Sequence, residues 1–159
     1  MELQPSPVEP QGILEGLNWR AVLLGAIVDI VLTMFASAIL IFWVAAPDAF
    51  SPDEDVAKQA VEAALHSPEF LLLAFVTGIV ATAIGAYVGA RRAGVFHVRH
   101  GGWIAICSAL CSLLFLLTPG ATSGPNPPLW YDAFGLILML PAGLLGGRLA
   151  EARDRAAAA

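Results

Sequence analysis

The sequence predicts an all-α integral membrane protein: a four-helix transmembrane bundle, readable as two tandem helical hairpins, with a short amphipathic surface helix in the first outer loop. Three observations carry that expectation. Mean hydropathy is +0.75, with 58% apolar and only 13% charged residues, whereas about a quarter of a soluble domain is charged. Four windows are apolar nearly all round, and each comes close to or exceeds the roughly 20 residues that a bilayer span requires. Finally, seven of the eight Lys and Arg residues fall on one side of those windows.

Taken in order, residues 1–18 read as an N-terminal tail, with Pro5, Pro7 and Pro10 among polar neighbours and too little apolar surface to fold alone. Ile13, Leu14 and Leu17 suit a short interfacial turn, and Asn18 suits the N-cap of the first span. That span covers about 19–46. The leader has no basic stretch ahead of the apolar run, so the first span is expected to be retained as a signal anchor. Ser51-Pro52-Asp53-Glu54 combines a capping serine, a proline at the first helical position and a capping-box glutamate. Val56, Ala60, Val61, Ala64 and Leu65 follow at helical spacing, which predicts a surface helix over 52–66.

Ser67-Pro68-Glu69 repeats the start signal and opens a second span over 69–90. A basic inner loop then runs from Arg91 to His100, ahead of a third span over 102–118. The loop from Gly120 to Pro128 carries Gly124, Pro125, Pro127 and Pro128 and should be irregular. A fourth span over 129–149 completes a membrane domain of 19–150, and 151–159 reads as a C-terminal tail that continues the helix as a charged, alanine-rich end and frays.

Arg20, Arg91, Arg92, Arg99, Arg148, Arg153 and Arg155 share one face, opposite Asp48, Asp53, Glu54, Asp55, Glu62, Glu69 and Asp132 with Lys58. By the positive-inside rule the arginine face is cytoplasmic, which places both termini inside a bacterial cytoplasmic membrane. Trp19, Trp103, Trp43, Trp130, Tyr131 and Tyr87 fall where interfacial aromatic belts are expected. No basic patch of useful size exists, so nucleic acid is not an expected partner. The expected partners are the lipid bilayer and either a second copy or another membrane protein.

Two constellations stand out within the spans. Gly85 and Gly89, and again Gly143 and Gly147, are four residues apart. Small residues at that spacing let helix backbones approach closely in lipid, and the shared pattern predicts that spans two and four cross each other. The second is Asp29, ten residues past Trp19 and near mid-bilayer at 1.5 Å per residue. Gly25, Asp29, Thr33 and Ser37 make one face of that helix small or polar. Without a cationic partner in any span, the carboxyl is expected to be largely neutral and to act as both donor and acceptor. Thr82, Ser108, Cys111 and Ser112 lie at similar depth, and Pro141 frees the carbonyl of Ile137. Asp29, Thr33, Thr82, Ser108 and Ser112 therefore form the candidate polar site, either as interhelical glue or as a proton- or cation-binding group.

No metal or cofactor is expected. Cys107 and Cys111 lack companion ligands, and His97 and His100 are placed in the inner loop, leaving no histidine in a span for haem. No hydrolase, phosphate-loop or zinc-protease motif is present, and catalysis is not expected. Four short helices with a membrane-buried acid in the first resemble the small multidrug-resistance exporters. That resemblance implies a dimeric proton-coupled transporter with Asp29 in place of the family's glutamate, although the first outer loop here is longer. The segments Gly85 to Ala93 and Gly143 to Ala150 more closely resemble those of a loose set of small bacterial four-span proteins of unknown function. Together these features point to a non-catalytic accessory or assembly component packing through its glycine faces, with the small proton-coupled transporter as the alternative.

Overall fold

The computed structural model describes residues 12, 14–45, 50–118 and 129–158, and these are entirely helical apart from short turns. Five helices follow in order: α1 (Trp19–Ala45), α2 (Glu54–Leu65), α3 (Pro68–Ala93), α4 (His97–Leu117) and α5 (Leu129–Ala158). All except α2 are long and apolar enough to cross a membrane. The chain has the architecture of a multi-pass membrane protein. The expected second outer loop and the first residues of the N-terminal tail lie outside the described residues.

Local sequence explains most helix ends. The Asn18 side chain accepts from the Ala21 N–H at 3.3 Å, capping α1. Ser67 caps α3 by accepting from Phe70 N–H at 3.1 Å, with Pro68 at the first position, where its missing N–H costs nothing. At the far end Gly94 takes φ 72°, a conformation that closes a helix at little cost only for glycine. Helix α2 starts later than its capping box suggests: Asp53, rather than Ser51, accepts from the Asp55 and Val56 N–H groups. Ser51 instead accepts from the Asp53 N–H at 3.2 Å and holds the cap itself.

Two boundaries differ from the apolar windows for the same reason. Helix α4 begins at His97, so His97 to His100 form its first turn and not a loop; only Gly94, Val95 and Phe96 connect it to α3. Likewise α5 runs to Ala158, past the expected end of the membrane domain. Hydropathy measures where lipid ends, while alanine, arginine and glutamate continue a helix into water. Pro141 lies inside α5 without ending it.

Helices α3 and α4 each touch all three other spanning helices, whereas α1 and α5 share no contact among the described residues and occupy opposite corners. Helix α2 rests on α1 and α3. Close packing of α1, α4 and α5 is concentrated in one half of the bundle, the end that carries the arginines, while Ala64, Phe70 and Leu71 are buried where α2 adjoins the start of α3. The buried residues of α1 run from Ala21 to Asp29, those of α4 from His100 to Ser108, and those of α5 from Ala142 to Ala150. Beyond Asp29 the rest of α1 buries no described side chain, and from Leu110 to Leu117 every residue of α4 is exposed. The halves nearer α2 are held more loosely, by ring contacts such as Phe75 against Tyr131, 5.9 Å between centroids.

Candidate functional site

Glycine builds the close-packed half. A Cβ on Gly85 would lie 2.6 Å from the Gly25 carbonyl oxygen and 2.8 Å from the Asp29 Cβ. On Gly89 it would lie 2.6 Å from the Ala21 carbonyl oxygen. The Gly85–Gly89 face therefore lies against α1. In the other pair, a Cβ on Gly143 would meet the Gly101 carbonyl at 2.6 Å and the Ala105 Cβ at 2.5 Å, and one on Gly147 the His97 carbonyl at 2.6 Å. That face lies against α4. The expectation that spans two and four cross each other is met, since α3 and α5 pack together, although the two glycine pairs themselves face α1 and α4. Helices α3 and α5 touch through Gly146, set against the Ala83 carbonyl and Ala86. An i, i+4 glycine pair states that a face is small and leaves open which helix covers it.

Against this backbone-to-backbone seam sits the polar cluster. Asp29 is 2% exposed, Thr82 and Ser108 each 1%. Thr82 Oγ1 stands 3.2 Å from both carboxyl oxygens of Asp29 and 3.1 Å from the Gly78 carbonyl. Thr33, one turn along α1, reaches Oδ1 at 3.4 Å. Ser108 approaches the same carboxyl from α4 without completing a hydrogen bond, and its Oγ is the buried side-chain polar atom left without a partner among the described residues. Three helices thus converge on one carboxyl. Of the five candidate polar residues the structure brings together Asp29, Thr33, Thr82 and Ser108. Ser112, one turn beyond Ser108, is exposed and does not join them.

The cluster lies where close packing stops. Asp29 and Ser108 are the last buried residues of their helices toward the α2 end. Ion pairs among the described residues include Lys58–Glu54, His97–Asp154 and Arg155–Glu151, none of which involves Asp29.

The sequence places His100 in an exposed loop and does not anticipate its burial. It is 0% exposed, and its Nε2 accepts from the Asn18 backbone N–H at 2.9 Å while Nδ1–H donates to the Phe96 carbonyl at 3.1 Å. That pairing requires the neutral ring with its proton on Nδ1. It also satisfies one of the N–H groups left over at the start of α1. His97 Nε2–H donates to Asp154 at 2.9 Å, which ties the extension of α5 to the start of α4. The only sequence signal for either is spacing, since Phe96 and His100 are four apart. With both ring nitrogens engaged, His100 has no lone pair for a haem iron. Among the described residues no group of three His, Cys, Asp or Glu side chains is placed to hold a metal, and Cys107 and Cys111 are free thiols.

Comparison with known proteins found no matching family model, no similar curated protein and no similar solved structure. The reading of function therefore rests on the sequence and the geometry.

Proposed function

We propose that this chain is a multi-pass component of a bacterial cytoplasmic membrane, with both termini in the cytoplasm, and that its role is non-catalytic assembly. The arginine asymmetry supports the orientation. The role rests on one observation: the glycine faces are consumed inside the chain, whereas the α2-end half of α4 is exposed on every face. The partner surface is accordingly the loosely packed half, with exposed Leu113, Leu114 and Phe115, and not the glycine faces. Lipid or another membrane protein covers those side chains. Where helix surfaces are as apolar as lipid, shape complementarity rather than hydrophobicity selects the partner.

Extraction with native lipids, without detergent, tests this reading. A second membrane protein at stoichiometric level supports it. Recovery of copies of this chain alone overturns it and favours the second reading, a small proton-coupled transporter acting as an oligomer. That second reading draws on the position of Asp29 at the boundary where packing opens, and requires Asp29→Asn to abolish transport.

A further inference from the structure

We propose that the oxygens of Asp29, Thr33, Thr82 and Ser108 form a binding site for a sodium-sized monovalent cation. This stands apart from the assembly role, which does not require it. The first argument is a count of protons. Thr82 has a single hydroxyl hydrogen and three acceptors within 3.2 Å: both oxygens of Asp29 and the Gly78 carbonyl. One of the three can be served. A hydroxyl that donates to Gly78 turns lone pairs toward the Asp29 carboxyl, and that arrangement is favourable only with a proton or a cation between them.

Spacing gives the size. The separations within the cluster are 3.2–3.4 Å, longer than the roughly 2.7–2.8 Å usual for a hydroxyl–oxygen hydrogen bond. Oxygens about 2.4 Å from a hard cation, as they sit around calcium, lie ~3.4 Å apart at adjacent octahedral corners. Sodium has nearly that radius; potassium would force the oxygens apart. The charge follows from burial. One carboxylate and one monovalent cation leave the site neutral, whereas a divalent ion would leave uncompensated charge at membrane depth, where it is costly. An all-oxygen set also suits hard cations and not soft ones.

Ser108 supplies the independent observation. A buried hydroxyl without a partner is expensive, and this one is 1% exposed and approaches the same carboxyl from a third helix. A ligand held between α1, α3 and α4 accounts for it. Access comes from the α2 end, where α1 beyond Asp29 and α4 beyond Ser108 bury nothing.

The test uses the full chain in lipid nanodiscs at mildly alkaline pH, titrating sodium chloride against choline chloride at constant ionic strength and reading the unfolding midpoint. Sodium should raise the midpoint saturably, as expected for a ligand of the native state, and potassium should do so with at least ~10-fold weaker apparent affinity. Ser108→Ala should weaken the sodium response by about 10-fold, equivalent to ~1.4 kcal/mol. Asp29→Asn should show no sodium response. A wild-type midpoint equal in sodium and choline overturns the site. So does a sodium response that survives in Asp29→Asn, which would place the ion elsewhere. Should Asp29→Asn fail to fold, Ser108→Ala decides: an unaltered response overturns the assignment.

Discussion

The α1/α3 pair and the α4/α5 pair are built on one contact scheme and differ at its centre. Gly85 lies on the Gly25 carbonyl and the Cβ of Asp29; Gly143 lies on the Gly101 carbonyl and the Cβ of Ala105. One turn away, Gly89 meets the Ala21 carbonyl as Gly147 meets that of His97. Asp29 and Ala105 thus hold equivalent places, as do Thr82 and Leu140, each three residues before its glycine. The first pair places a carboxyl and a hydroxyl where the second has an apolar groove lined by Ala105, Ala109, Leu136 and Leu140. Close packing does not require the acid, since the second pair packs without one. What Asp29 adds is chemistry at a position that the seam alone could have left apolar.

The largest expected effect tests the shared half of the comparison. Gly89→Leu and Gly147→Leu each drive a side chain into a facing backbone and should abolish the folded bundle, read as lost thermal transition and rapid proteolysis. If both variants assemble normally, the seam is not what holds either pair. Next comes transplantation of the difference. Ala105→Asp puts an acid at the equivalent place with Leu140 in the position that Thr82 holds beside Asp29 and should cost about 3 kcal/mol in reversible unfolding. A cost near zero would show that the Asp29 surroundings are nothing special.

A smaller effect separates hydrogen bonding from packing at Asp29. In sodium-free buffer, Asp29→Asn keeps a donor and an acceptor and should leave stability unchanged, while Asp29→Leu should cost roughly 1–2 kcal/mol more. Equal midpoints for the two would remove hydrogen bonding from the account. The smallest effect lies off the seam. Gly78 has nothing within 4 Å of a built Cβ, so Gly78→Ala should be neutral or stabilise by up to ~1 kcal/mol, the helical penalty of glycine. A loss there would mean that close packing extends further toward α2 than the burial pattern indicates.

The four spans, the surface helix and the capping roles of Asn18 and Ser67 were legible because they depend on composition and local hydrogen bonding. Asp29 was legible as a buried acid, Thr33 by its place one turn along the same face, and Thr82 and Ser108 by depth. Partner choice was not. Gly85 and Gly143 advertise equally small faces, and which helix each meets is decided by the packing of the whole bundle. His100 was hidden for a related reason: it stands among basic residues that belong in water, and its burial depends on the start of α1, 82 residues away in sequence. Asp154, the partner of His97, is equally remote.

The glycine seam also has a mechanical consequence. Where carbonyl rests on Cα there are almost no side-chain torsions to turn, so that half of the molecule cannot yield by repacking. Displacement at the free ends of α1 and α4 must instead be taken up as rigid rotation about the seam, which acts as a fulcrum with the unburied turns as lever arms. Asp29 and Ser108 sit beside that fulcrum on different arms. A swing that moves the helix tips by a large amount would alter the gap between these two side chains by a small one, a scale suited to gripping or releasing a single ion.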